Sequence, residues 1–87
     1  MQVLDKINKV TELAYYWNLR DRDTWYEICM SQRRIRLIEH DSKTKKVIMC
    51  YIARFDGVVF KNNVTTRIRY VTLGDMIYLL ETLKKEI

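Results

Sequence analysis

Residues 46–57 read KVIMCYIARFDG. Apolar side chains occupy both alternating sets of positions from Val47 to Phe55, and several of them are β-branched or aromatic. Such a run is typical of a strand that is covered on both faces, wholly or in part. Asp56-Gly57 is typical of a two-residue hairpin turn, since a type I′ turn requires positive φ at both central positions. We therefore predict a central strand that turns back tightly, with Phe60 on the returning strand.

Two further strands precede this run, and a last strand follows the returning one. The segments TWYEICMS, from Thr24, and RIRLIEH, from Arg34, are rich in β-branched and aromatic residues. Residues 31–33 and 41–45 separate the strands as turns. Asn62-Asn63 offers another tight turn, which leads into the segment VTTRIRYV. The sequence therefore predicts an antiparallel meander of four to five strands.

Amphipathic helical segments flank the predicted sheet. The first covers Val3 to Asn18, and the second begins where Thr72 can cap a helix with Asp75 in the reciprocal position. The apolar stripes of both helices must be buried against other elements, and the simplest arrangement packs both helices on one face of the sheet. We therefore predict a single α+β domain over residues 1–87, with the other face left to solvent or a partner. The predicted stripes are Val3, Ile7, Val10, Ala14 and Trp17, then Met76, Ile77, Leu80, Leu83 and Ile87.

Composition narrows the class of protein. The 87 residues carry 16 Lys+Arg and 11 Asp+Glu, a formal net charge of +5, and 48% of them are hydrophobic. These values are typical of a small globular domain, and they exclude a multidomain enzyme, a low-complexity chain and an acidic mimic of nucleic acid. No apolar run approaches the roughly 18 residues that span a membrane, and no signal-peptide core precedes Asp5 and Lys6. We therefore expect a soluble, intracellular protein of the cytoplasm.

Few side chains could support catalysis or bind a metal. His40, the only histidine, could be oriented as a general base by Glu39 and Asp41, but a solvated histidine at a strand end is the simpler interpretation. Cys29 and Cys50 fall in predicted strands and are expected to be free structural thiols. Small basic messenger-RNA-cleaving toxins use Arg, Lys, Tyr and His, but no motif is shared with them. We therefore predict no catalytic residues, no metal and no cofactor.

The basic residues lie in clusters. One cluster falls at the first predicted turn, a second at the next turn, and a third on the last strand. Each cation that meets a phosphate adds a salt-sensitive increment to affinity, whereas a set of solvated turns is the simpler alternative. If the turns of adjacent hairpins share one rim of the sheet, their clusters form one patch. The clusters are Arg33, Arg34 and Arg36; Lys43, Lys45 and Lys46; and Arg67 with Arg69.

The last predicted strand offers a more specific surface, and its register leaves two possibilities. Alternation places Arg67 and Arg69 on one face. If the preceding turn has two residues, Tyr51 and Phe60 join the arginines in a platform suited to a nucleic-acid base or a partner protein. A bulge or a longer turn would move every side chain of this strand to the other face. The aromatic rings would then belong to the core, and the arginines would only be exposed.

The helix–strands–helix order resembles that of the double-stranded RNA-binding domain over most of the chain. In that family, a lysine-rich start of the second helix contacts phosphates. Here the corresponding helix begins Thr72-Leu73-Gly74-Asp75-Met76. These positions do not match the family's phosphate-contacting pattern, so we do not assign the chain to it.

We predict a non-catalytic binding protein that docks on a larger protein or nucleoprotein complex. A small chain that is rich in lysine, isoleucine, asparagine and tyrosine and lacks proline is common among phage and mobile-element proteins. The prediction therefore extends to inhibitors of host nucleic-acid-handling machines, anti-CRISPR proteins included. The alternative is direct binding of DNA or RNA through the basic turns and the arginine-bearing strand. An edge strand in so small a sheet also permits a homodimer.

Overall fold

The computed structural model describes residues 2–59 and 67–83. Its elements follow the predicted order of helix, strands and helix, and the α+β class is confirmed. The described residues contain four strands, within the predicted four to five. The first helix runs two residues further than the sequence indicates. The elements are α1 (Val3–Arg20), β1 (Thr24–Met30), β2 (Arg34–Asp41), β3 (Val47–Arg54), β4 (Ile68–Val71) and α2 (Leu73–Leu83).

The four strands form one sheet in the order β1-β2-β3-β4. The pairs β1–β2 and β2–β3 are antiparallel, as a meander requires, and β3 is the predicted interior strand. β4 differs from the prediction because it pairs parallel to β3, with Cys50 opposite Ile68 and Ala53 opposite Val71. The sheet is therefore mixed, and the chain between these strands makes a crossover connection in place of a hairpin.

The chain turns tightly after β3. The Gly57 N–H donates to the carbonyl of Arg54 at 3.2 Å, and Gly57 has a φ of 82°. Glycine is suited to this left-handed conformation because it has no Cβ. The turn is therefore tight, but Val58 and Val59 belong to no strand. The predicted returning strand is absent at these two positions, and Phe60 lies outside the described residues.

The hydrophobic core lies between the two helices and one face of the sheet, which confirms that both helices cover the same face. Four of the predicted α1 positions are buried, whereas Val3 remains 41% exposed at the start of the helix. Trp17 also links the helices, since its Nε1–H donates to the carbonyl of Leu80 at 2.9 Å. The buried cluster comprises Ile7, Val10, Ala14, Trp17, Tyr26, Ile35, Leu37, Ala53, Leu73, Met76 and Leu80.

A capping box begins α2, as the sequence predicts. The Asp75 N–H donates to the hydroxyl oxygen of Thr72 at 3.0 Å, and the Thr72 N–H donates to the Asp75 carboxylate at 3.2 Å. Two backbone donors that the helix cannot satisfy internally are thereby satisfied. Two positions of the predicted stripe are not described: the side chain of Leu83 and the whole of Ile87.

Asn18 protects part of the free edge of β1. Its side-chain amide donates to the carbonyl of Tyr26 at 2.8 Å, and its side-chain oxygen accepts the Tyr26 N–H at 2.6 Å. The amide thus imitates the pairing that a further strand would provide. Such a device lowers the tendency of an edge strand to pair with another chain.

Neither helix, over residues 2–59 and 67–83, has the combination of length and apolar character needed to cross a membrane.

Candidate functional site

The sheet face opposite the helices, here called the outer face, is the candidate surface. Burial alternates along β2, with Ile35 and Leu37 buried towards the helices and Arg34 and Arg36 directed the other way. No helix within residues 2–59 and 67–83 packs on this face. The strand pairings place the following side chains on it: Trp25, Glu27, Cys29, Arg34, Arg36, Ile38, His40, Val47, Cys50, Ile52, Arg54, Ile68 and Tyr70.

Arginines are concentrated at one end of the outer face. Arg34 lies directly opposite Arg54 on the neighbouring strand, and Arg36 lies opposite Ile52. Directly opposed like charges destabilise a sheet, because their Cβ atoms are only about 5 Å apart. Ile52 lies between its cross-strand partners Arg36 and Tyr70. It is only 6% exposed, although it faces away from the helices. This end of the outer face therefore combines a cationic rim with an apolar floor.

An acidic partner is present for only one of these opposed arginines. The guanidinium of Arg54 makes two contacts with the Asp56 carboxylate, at 3.1 and 2.5 Å. No acidic side chain within residues 2–59 and 67–83 forms an ion pair with Arg33, Arg34 or Arg36. The positive charge at this end therefore lacks a full set of internal counter-charges within the described part of the chain.

Two cavities meet at Arg34. The larger, of about 630 Å³, lies between the β1–β2 turn, β3 and β4. The smaller, of about 130 Å³, lies towards the β1 edge and is lined by Cys29, Met30, Ser31, Arg34 and Arg36. Ser31 and Arg34 line both cavities. The two cavities therefore adjoin, and together they are here called the arginine groove. The larger cavity is lined by Ser31, Gln32, Arg33, Arg34, Ile52, Arg54 and Tyr70.

His40 occupies the other end of the outer face and is held in place. Its ring stacks on Trp25 with centroids 4.1 Å apart, and its Nε2–H donates to Oε1 of Glu27 across 3.0 Å. The side chain is 13% exposed, and Nδ1 is buried without a hydrogen-bond partner among the described atoms. His40 is therefore not a solvated histidine, and no hydrogen bond within the described residues links its ring to Glu39 or Asp41. The strand pairing brings Glu27 to it instead.

Both cysteines are free and half-buried, as predicted, and both lie on the outer face. Burial raises the pKa of the Cys50 thiol, while the positive charges of Arg36 and Arg34 oppose part of this effect. A thiol with a raised pKa carries little thiolate at neutral pH, and the thiolate is the nucleophilic form. This geometry favours a structural role for Cys50.

The lysine cluster is separated from the arginine cluster. Lys43, Lys45 and Lys46 lie in the β2–β3 turn, and Arg33 lies in the β1–β2 turn. The eight residues of β2 separate these turns, a length of about 25 Å at the rise of a strand. Consecutive turns of a meander fall at opposite ends of the sheet, so the two predicted clusters do not share one rim.

The predicted platform on the last strand does not form on the outer face. Tyr51 and Arg69 are paired in register, but on the face that the helices cover, where Tyr51 packs against the core. Burial raises the pKa of Tyr51, the nearby Glu39 raises it further, and Arg69 opposes both effects. Arg67 is exposed just before β4, and Phe60 lies outside the described residues. The outer face instead receives Ile68 and Tyr70 from this strand.

Seven of the ten residues that line the arginine groove were absent from the predicted site. Arg54 and Tyr70 are the charged residue and the aromatic residue among them. The face of Arg54 could have been predicted from its neighbour Ala53, because successive side chains of a strand point to opposite faces and the apolar Ala53 is expected in the core. The placement of Tyr70 depends on the parallel pairing of β4 with β3, for which the sequence has no local signal.

Comparisons of the chain with protein-family models, with curated proteins and with solved structures found no match. Within residues 2–59 and 67–83, no group of three or more His, Cys, Asp or Glu side chains is arranged to hold a metal ion.

Proposed function

We propose that this protein is a non-catalytic binding protein that docks on a larger protein or nucleoprotein complex through its outer face. One observation carries the proposal. At one end of this face Arg33, Arg34 and Arg36 have no acidic partner in the described ranges, and they adjoin the apolar Ile52 and the ring of Tyr70. Arginine and aromatic side chains are enriched at the energetically important centres of protein interfaces.

The arrangement of His40 supports a non-catalytic role. A general base needs a ring nitrogen within hydrogen-bond reach of the substrate proton. Nε2 of His40 is engaged by Glu27, Nδ1 is buried, and one face of the ring is covered by Trp25. In this geometry neither nitrogen is presented to a bound substrate.

Inhibition by occlusion is the mode of action that we propose for such a binder. A small domain that covers a functional surface of a larger machine needs affinity and shape but no chemistry of its own. The phage-like composition favours a host nucleic-acid-handling machine as the target, with a CRISPR effector as one example. The intracellular location belongs to the same proposal.

Direct nucleic-acid binding is the second candidate, and the net charge of +5 favours it. Binding of single strands generally combines a basic groove with several aromatic rings on which successive bases stack. In the described arginine groove Tyr70 is the aromatic residue, while Trp25 lies towards the other end and already stacks on His40. The geometry therefore favours a protein partner.

The test compares two double charge reversals. Tagged wild-type protein, Arg34→Glu/Arg36→Glu and Lys43→Glu/Lys46→Glu are used to capture partners from lysate, with and without nuclease treatment. We expect one protein to be retained by the wild type and the lysine variant, lost by the arginine variant, and insensitive to nuclease.

Three results would contradict the proposal. Loss of the partner only in the lysine variant would assign binding to the far turn. Retention by both variants would exclude the outer face. Capture that disappears after nuclease treatment, together with steep salt dependence of binding to purified DNA or RNA, would establish the nucleic-acid alternative.

A further inference from the structure

The arginine groove crosses the whole sheet at the end near the β1–β2 turn. Its lining extends from Cys29 and Met30 on the first strand to Tyr70 on the last. Three inter-strand spacings separate these strands, a width of about 14 Å. Four residues of an extended peptide cover about 13 Å at the rise of a strand. The groove therefore matches a short extended segment that lies across the strands.

The charges of the groove select the chemistry of such a segment. Arg34 is shared by both cavities and lies opposite Arg54, whose guanidinium already contacts Asp56. A carboxylate placed at Arg34 would reduce the repulsion between the opposed guanidinium groups and would accept hydrogen bonds from the planar fork of the arginine. Arg33 and Arg36 flank it, one in each cavity, so each cavity can receive an acidic group.

The apolar part of the lining distinguishes a peptide from a polynucleotide. Ile52 forms the floor of the larger cavity. Aliphatic surface of this kind complements the aliphatic parts of peptide side chains, whereas a phosphodiester chain would leave it without an apolar partner. Carboxylates are therefore the anions that the groove fits best.

We propose that the arginine groove binds an acidic segment of the partner protein in extended conformation, with one carboxylate at Arg34 and others in the two flanking cavities. This inference rests on the proposed function, because it specifies which part of the docking partner the outer face recognises.

The probe is a fluorescein-labelled peptide of about ten residues, long enough to cross the groove, in which glutamate alternates with threonine. A peptide with glutamine in place of glutamate and a thymidine oligonucleotide of equal length are the controls. Fluorescence anisotropy measures binding to the wild type, to Arg34→Gln and to Lys43→Gln, which removes the same charge at the far turn.

We expect the acidic peptide to bind the wild type more tightly than both control ligands. Arg34→Gln should weaken it about tenfold or more, since a hydrogen bond to a charged group is lost, and Lys43→Gln should change affinity by less than about twofold. Arg34→Gln should keep its melting temperature, because it removes one of two opposed cations. Arg33→Gln, in the exposed turn, provides a second test if Arg34→Gln does not fold.

The inference is overturned if the wild type does not bind the acidic peptide, if both arginine variants bind it as the wild type does, or if the oligonucleotide binds more tightly. These results are distinguishable from failure of the proposed function. If the captured protein is still lost in Arg34→Glu/Arg36→Glu while the peptide does not bind, the outer face docks the partner by other contacts and only the acidic-segment inference falls.

Discussion

Replacing Asn18 by alanine tests whether a single amide secures the edge of the sheet. The substitution removes two hydrogen bonds to the backbone of Tyr26, of 2.8 and 2.6 Å. Each is worth about 0.5–1.5 kcal/mol, so the loss is about 1–3 kcal/mol. Alanine also has a higher helix propensity than asparagine by about 0.6 kcal/mol. The net expectation is a fall of about 0.5–2.5 kcal/mol in the free energy of unfolding.

Asn8 supplies a matched control on the same helix. It is exposed, and the structure assigns it no side-chain hydrogen bond within the described residues. Asn8→Ala should therefore show only the propensity gain and become slightly more stable. The difference between the two variants isolates the two hydrogen bonds to Tyr26, and it should be about 1–3 kcal/mol.

Urea unfolding followed by circular dichroism measures both variants. A change of midpoint at constant slope reports stability alone. In a domain of this size, 1 kcal/mol corresponds to about 4–8 °C in melting temperature, so thermal melts provide an independent measurement. If Asn18→Ala is stabilised as much as Asn8→Ala, the two hydrogen bonds to Tyr26 contribute nothing to the stability of the β1 edge.

Three further substitutions test other contacts. Trp17→Phe removes the N–H that donates to Leu80, and we expect a loss of about 1–2 kcal/mol in urea unfolding; an unchanged midpoint would contradict the interhelical bond. In Cys29→Ser, Cys50 is the remaining thiol, and burial raises its pKa. It should therefore react with iodoacetamide more slowly in the folded protein than in the unfolded protein, and the pH of half-maximal rate should be higher in the folded protein. Asp41 accepts hydrogen bonds from backbone N–H groups, and these hold its pKa below the usual 3.8. The ionised carboxylate therefore stabilises the fold above pH 3.8, and this contribution is lost as the pH falls through the pKa of the folded state. The difference in free energy of unfolding between wild type and Asp41→Asn should shrink on acidification, and a constant difference would contradict this prediction.

Local patterns predicted the helices, three strands and the capping box, because each depends on residues close together in sequence. Thr72 and Asp75 are three positions apart, and the apolar stripe of α1 repeats with the period of a helix. The pairing of β4 has no such signal. A glycine with positive φ suits both a hairpin and the turn observed at Gly57, so the sequence alone could not distinguish a return from a crossover.

The candidate site could be predicted only where it depends on alternation within one strand. Arg36 is correctly placed opposite the buried Ile35 and Leu37 by the alternation of β2. The face of Tyr51 and Arg69 stayed open, because it depends on which strand pairs with which and in what register. The same limit applies to His40, whose partner Glu27 is 13 residues away and reaches it only through the β1–β2 pairing.

The positions of the two tryptophans give the molecule two separate optical reporters. Trp17 lies in the core on one side of the sheet, and Trp25 stacks on His40 on the other. Because indole emission responds to local polarity and to quenching by neighbouring groups, unfolding of the core and events at the outer face affect different rings. In Trp17→Phe, Trp25 remains as the single indole emitter. That variant provides a dye-free titration signal for whatever covers the outer face.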